Sequence, residues 1–139
     1  DADRLLERYR FGRAHHRVLH FVNRFPGMTI AELLDILQIT KQSLNRVLKE
    51  LVDQGYIKAQ AGTSDRRQRN LFATNAGEDL AQELAQIQSR RFSVALASLP
   101  EGGRENAINF LLSMIDEGER DEVSALIWGQ DGKPERSCP

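Results

Sequence analysis

The chain has 139 residues, 40% apolar, 28% charged and only 6% aromatic, which suits one soluble, mostly helical domain with or without helical extensions. No apolar run approaches the roughly 20 residues of a membrane span, no signal peptide is legible, and the single cysteine, Cys138, rules out an intrachain disulfide and fits a reducing cytoplasm. The net charge of −1 hides an uneven spread: residues 40–73 carry seven basic against three acidic side chains, and residues 74–139 carry six against twelve. A local basic stripe matters more for phosphate binding than the charge of the whole chain.

Val18, Phe21, Val22 and Phe25 recur at helical spacing, predicting a helix over 14–24 that ends at Pro26-Gly27. Thr29-Ile-Ala-Glu32 is a capping box, and Ile30, Leu33, Leu34 and Leu37 mark the short helix it opens. Gln38-Ile39 makes a brief turn. Thr40 is the N-cap of the next helix, which has Leu44, Val47, Leu48 and Leu51 on its buried side and Gly55 just past its end. Residues 56–60 and 71–73 read as short strands around turn residues Gly62, Thr63, Ser64 and Asp65, so the pair forms a hairpin with a charged tip. A long helix is expected over 75–99, broken by Pro100-Glu-Gly-Gly103. Ile108, Leu111, Leu112 and Ile115 define another that can run past Gly118 to Ile127. Four segments follow: N-terminal helices over 1–25, a core over 26–74, long helices over 75–128, and a frayed tail over 129–139. The sequence opens at Asp1 rather than Met, which leaves room for a preceding piece.

Two short helices joined by a tight turn make a helix-turn-helix unit, whose second helix can enter the major groove of DNA. Burying the leucine side of that helix turns Lys41, Gln42, Ser43, Asn45, Arg46 and Lys49 toward solvent. Gln and Asn can bond adenine, Arg and Lys can bond guanine, and Ser can reach base or phosphate. A solvated amphipathic face is the competing interpretation, and the hairpin shifts the balance. Arg66, Arg67 and Arg69 repel one another unless an anion is near, and a narrow minor groove offers one. Asp65 can pair with a neighbouring guanidinium and hold it extended.

With those residues in view, the chain resembles the MarR family of transcriptional regulators. The family's wing signature, Asp-x-Arg followed by Leu-Thr-x-x-Gly, stands here as Asp65-x-Arg67 and then Ala73-Thr74-Asn75-Ala76-Gly77, with Ala73 in place of the usual Leu. Residues 39–57 are similar to the family's recognition helix and its exit into the wing, and residues 12–21 are similar to its PetP-like branch. The resemblance implies a mainly α fold with a small β-hairpin wing: a winged helix-turn-helix domain plus a helical dimerisation region. It makes Arg67 the minor-groove reader, Asp65 its positioner, and Lys41, Gln42, Ser43, Asn45 and Arg46 the major-groove and backbone contacts. It also implies a homodimer on double-stranded DNA, a near-palindromic operator, repression, and release by a small-molecule effector.

For the effector, Tyr9, Phe11, His15 and His16 are the candidate cleft residues, against the plainer reading that an aromatic near a helix start belongs to the core. His16 and His20, at i and i+4, share a face and could chelate a metal, but two ligands do not make a site and no metal or cofactor is assigned. A metal-responsive regulator and a winged helix that binds a protein instead of DNA are the alternatives. No phosphate loop, nucleophile elbow or metal-ligand motif points to an enzyme.

Overall fold

The computed structural model describes residues 1–62 and 68–129. The chain divides into two compact units, the first spanning Asp1–Phe92 and the second beginning at Ser93. Its helices are α1 (Ala2–Arg8), α2 (Arg13–Arg24), α3 (Ile30–Leu37), α4 (Lys41–Asp53), α5 (Asn75–Ala97), α6 (Gly103–Ser113) and α7 (Arg120–Trp128). Between α4 and α5 lie strands β1 (Ile57–Ala61) and β2 (Arg69–Ala73), paired antiparallel with Ile57 opposite Ala73 and Ala61 opposite Arg69. Mainly α with a small β-hairpin wing is therefore the fold.

The first unit holds the core. Val18, Leu19 and Val22 of α2 are buried on one stripe, and α2 packs against α3, α4 and β2. From α4, Leu44, Val47, Leu48 and Leu51 enter the same core; burying each such side chain stabilises by about 1.5–3 kcal/mol. The turn between α3 and α4 is tight because Gln38 adopts a left-handed conformation (φ 51°), its N–H closing on Leu34 O. Gly55 ends α4 at φ 80°, a conformation open to glycine at little cost, and returns the chain so that Tyr56 N–H donates to Leu51 O at 2.8 Å. The segment before α3 pairs with the other edge of β2: Gly27 N–H donates to Leu71 O and Leu71 N–H to Met28 O, both at 2.8 Å.

α2, β1 and α5 fall within two residues of the expected bounds, and two elements differ more from the sequence expectation. β2 begins at Arg69 rather than Leu71, because Gly62 N–H donates to Gln68 O at 2.9 Å and carries the ladder further toward the tip. The C-terminal helix does not run past Gly118. It stops at Ser113 and restarts at Arg120 after a 3-10 turn over Glu117–Glu119. Arg120 folds back onto the end of α6, donating to Ile115 O at 2.9 Å and Ser113 O at 3.2 Å, so the carbonyls left over at a helix end find a cation.

The second unit is built differently. Between Ser93 and Gly129 the only buried residue is Gly103, while Val94, Phe110, Leu111 and Met114 are 60–69% exposed. Among the described residues no helix is long and apolar enough to cross a membrane.

Candidate nucleic-acid interface

Thr40 opens α4: its hydroxyl oxygen accepts from Ser43 N–H at 3.2 Å, and its O–H donates to Ser43 Oγ at 2.9 Å. That leaves the Ser43 hydroxyl proton free to donate outward. With the apolar stripe locked in the core, Lys41, Gln42, Ser43, Asn45, Arg46 and Lys49 are all exposed on one continuous face. Lys49 is held by an ion pair to Asp53 one turn on, which raises its pKa through the hydrogen bond first and the carboxylate charge second. Arg69 is exposed on β2, opposite Ala61. Asp65, Arg66 and Arg67 lie outside the described residues.

The base of the wing is tied to its neighbours through the residues of T-x-x-G. Thr74 Oγ1 accepts from Gly77 N–H at 3.1 Å, its hydroxyl donates to Gly55 O at 2.6 Å, and its backbone N–H donates to Tyr56 O at 3.0 Å. One residue thus caps α5 and ties it to the end of α4. At Gly77 an added Cβ would lie 2.1 Å from Tyr56 O, so only glycine lets the helix come this close to the strand.

The four proposed effector residues do not meet in one space. Tyr9, Phe11 and His15 join Tyr56 in an aromatic cluster: Phe11 stacks on His15 with centroids 4.7 Å apart, and Tyr56 meets Phe11 edge-on at 5.3 Å. Phe11 is a core residue. Both ring nitrogens of His15 are taken, Nδ1 accepting from Gly12 N–H at 3.1 Å and Nε2 meeting Glu50 Oε2 at 2.8 Å. His16 turns elsewhere, into a cleft of about 500 Å³ lined by Asp3, Arg13, Arg17, His20, Ile87 and Arg91 among others. Burial, followed by the charge of His20, pushes the His16 imidazole down. His20 is likewise lowered, by burial and then by Arg24. Asp3 and Arg13 pair across the cleft mouth at 3.0 Å. Among the described residues no group of three or more His, Cys, Asp or Glu is placed to hold a metal.

Two polar ties were not legible in the sequence. Arg17 Nη2 donates to Leu37 O at the end of α3, at 3.0 Å, and His15 reaches Glu50 across 35 positions of sequence. Periodicity marks which face of a helix is apolar, but nothing in it pairs two polar residues that distant.

Known proteins agree with this architecture. The sequence model of the MarR family matches residues 11–68, which take in α2, α3, α4 and β1. The HTH-type transcriptional regulator PetP of Rhodobacter capsulatus is 46% identical over 95 residues, 68% of this chain; the chain covers 57% of that protein's length. A MarR transcriptional regulator from Methanosarcina mazei Go1 superposes with a TM-score of 0.72 at 28% identity, covering 84% of each chain. The transcriptional regulator SlyA shares the fold at the same TM-score and 19% identity, over 87% of this chain and 84% of its own. Sequence model, relative and fold converge on the same helix-turn-helix, which over residues 11–68 is that of the MarR family.

Proposed function

We propose that this chain is a sequence-specific transcriptional regulator that binds double-stranded DNA as a homodimer, represses by occupying a near-palindromic operator, and is released by a small-molecule effector. The observation that carries the reading is α4. It is anchored by four buried side chains and presents Lys41, Gln42, Ser43, Asn45 and Arg46 on an exposed face, at the second position of a helix-turn-helix. Those side chains supply bidentate, single-bond and phosphate chemistry at helical spacing. Arg69 of the wing, with Asp65, Arg66 and Arg67, extends the contact toward the minor groove. The helices over 75–128 supply the dimer body: α5 is anchored in the core by Leu80, Ala81 and Leu84, while from Ser93 on the described residues bury only Gly103 and expose Phe110, Leu111 and Met114, apolar surface for a second copy to cover. Two-fold symmetry then sets the two recognition helices about 34 Å apart, one turn of DNA. The protein works in the cytoplasm, where the DNA is.

Selection from a random duplex pool at fixed salt, wild type beside Arg67→Ala, tests this. Wild type is expected to enrich a near-palindrome. Arg67→Ala should bind it about ten- to a hundredfold more weakly, with preference relaxed at the flanks, the loss of one groove-reading Arg being worth about 1–3 kcal/mol. No enrichment, with and without candidate effectors, would refute the DNA reading and favour a winged helix that binds protein.

A further inference from the structure

His15 stands on the first turn of α2, stacked on the core residue Phe11 and only 12% exposed, and its ring is fixed at both nitrogens. Nδ1 accepts the Gly12 N–H, so the ring proton sits on Nε2 and is donated to Glu50 Oε2 at 2.8 Å, the assignment the hydrogen-bond network requires. Glu50 lies on the last full turn of α4, at the opposite end of the helix from Lys41, Gln42 and Ser43. Its side chain is 42% exposed. An acidic side chain on a helix that approaches DNA works against affinity through phosphate repulsion, so its presence there asks for a compensating role.

We propose that His15 and Glu50 are positioning residues, a tether from the core helix α2 that sets the tilt of α4. The proposal rests on the DNA-binding reading above and assigns the pair a part in it. The lever is long: from Glu50 to Gln42 is about 12 Å along the helix at 1.5 Å per residue, so a tilt of about 5° at the tethered end moves the reading end by about 1 Å. A shift of that size carries a hydrogen bond to a base edge out of its 2.7–3.2 Å range. The apolar stripe of α4 holds the helix in the core, and the His15–Glu50 bond adds a directional restraint at its C-terminal end. Arg17, bound to Leu37 O, fixes α3 separately, so the His15 tether acts on α4 alone.

Two substitutions at Glu50 isolate the bond from the charge. Glu50→Gln and Glu50→Ala remove the same negative charge, but only Gln keeps an oxygen that accepts from His15 Nε2–H. The probe is the duplex enriched by wild type. Charge removal alone predicts that both variants bind it equally well, and at least as tightly as wild type. The tether predicts that Glu50→Gln binds about tenfold more tightly than Glu50→Ala, and that this gap closes when both are placed in a His15→Ala background. Thermal midpoints of the two Glu50 variants should agree, since a half-exposed side chain contributes little to the fold; a loss of affinity without a loss of midpoint is a result that a purely structural role does not give. Should His15→Ala not fold, the Gln-to-Ala comparison decides by itself. Equal affinities of the Gln and Ala variants on a duplex that wild type binds would overturn the tether while leaving the DNA reading intact. Failure of wild type to enrich any duplex would overturn both.

Discussion

Gly77 shows how one residue couples a sequence motif to an architecture. Its missing side chain lets the first turn of α5 press against Tyr56 O, and its N–H completes the cap on Thr74. A methyl group there would sit 2.1 Å from a backbone oxygen, which cannot swing aside as a side chain could. Gly77→Ala is therefore expected to lower stability by about 2–3 kcal/mol, the upper part of the range for overpacking, read as a shifted urea midpoint at unchanged slope. A change below about 0.5 kcal/mol would show that α5 relaxes freely at its start and that the close approach is not a constraint. Ala73, where the family usually has Leu, is consistent with this crowding: its Cβ is 3.4 Å from the site a Gly77 side chain would take. Thr74 and Gly77 were both legible in the sequence as a spacing; what the spacing is for became visible only with Tyr56 beside it.

At the scale of elements, α3 has the best-defined start. Thr29 N–H donates to Glu32 Oε2 at 2.7 Å and Glu32 N–H donates to Thr29 Oγ1 at 3.2 Å, the reciprocal pair that the Thr-x-x-Glu spacing predicts. The backbone bond from Thr29, followed by the one from its hydroxyl, holds the Glu32 carboxyl below the usual carboxylate range. A depressed carboxyl stabilises the fold above its unfolded pKa, and that contribution fades as the pH falls through the folded value. Thr29→Ala should cost about 1 kcal/mol at neutral pH. Glu32→Ala should cost a few tenths, since the carboxylate is exposed and screened. Denaturation from pH 7 down through the carboxylate range separates the two: the Glu32 effect should disappear, and the Thr29 effect should persist in part, because the Glu32 N–H still needs an acceptor. A Glu32 cost that does not vary with pH would mean the carboxylate acts through packing. Here the local code was sufficient. It was insufficient for α6 and α7, where apolar spacing suggested one helix and Arg120 ends it by reaching back to carbonyls five and seven positions earlier.

For the whole molecule, the contrast between the two units decides what to expect in solution. Among the described residues the first unit buries 18 hydrophobic side chains, from Leu5 to Leu84, and the second buries none and exposes Phe110 and Met114 by 64% and 69%. Apolar surface left uncovered on this scale is a demand for a partner, and a second copy meets it in the reading proposed above. Phe110→Asp should convert a dimer into a monomer in sedimentation velocity, with weaker operator binding as each half-site must then be occupied independently. A variant that stays dimeric would place the interface elsewhere. The sequence by itself determined the helix-turn-helix, the hairpin, the caps and the exposed polar face of α4, because periodicity and capping act over four or fewer residues and are written in adjacent positions. Only the tertiary structure decided that His15 belongs with Glu50 and His16 with the Arg17 and Arg91 cleft, that Arg17 holds the end of α3, and that Gly77 meets Tyr56. Those pairings depend on where α2 crosses α3 and α4 and where α5 leaves the wing, and a crossing is set by the packing of whole faces, which no local pattern encodes.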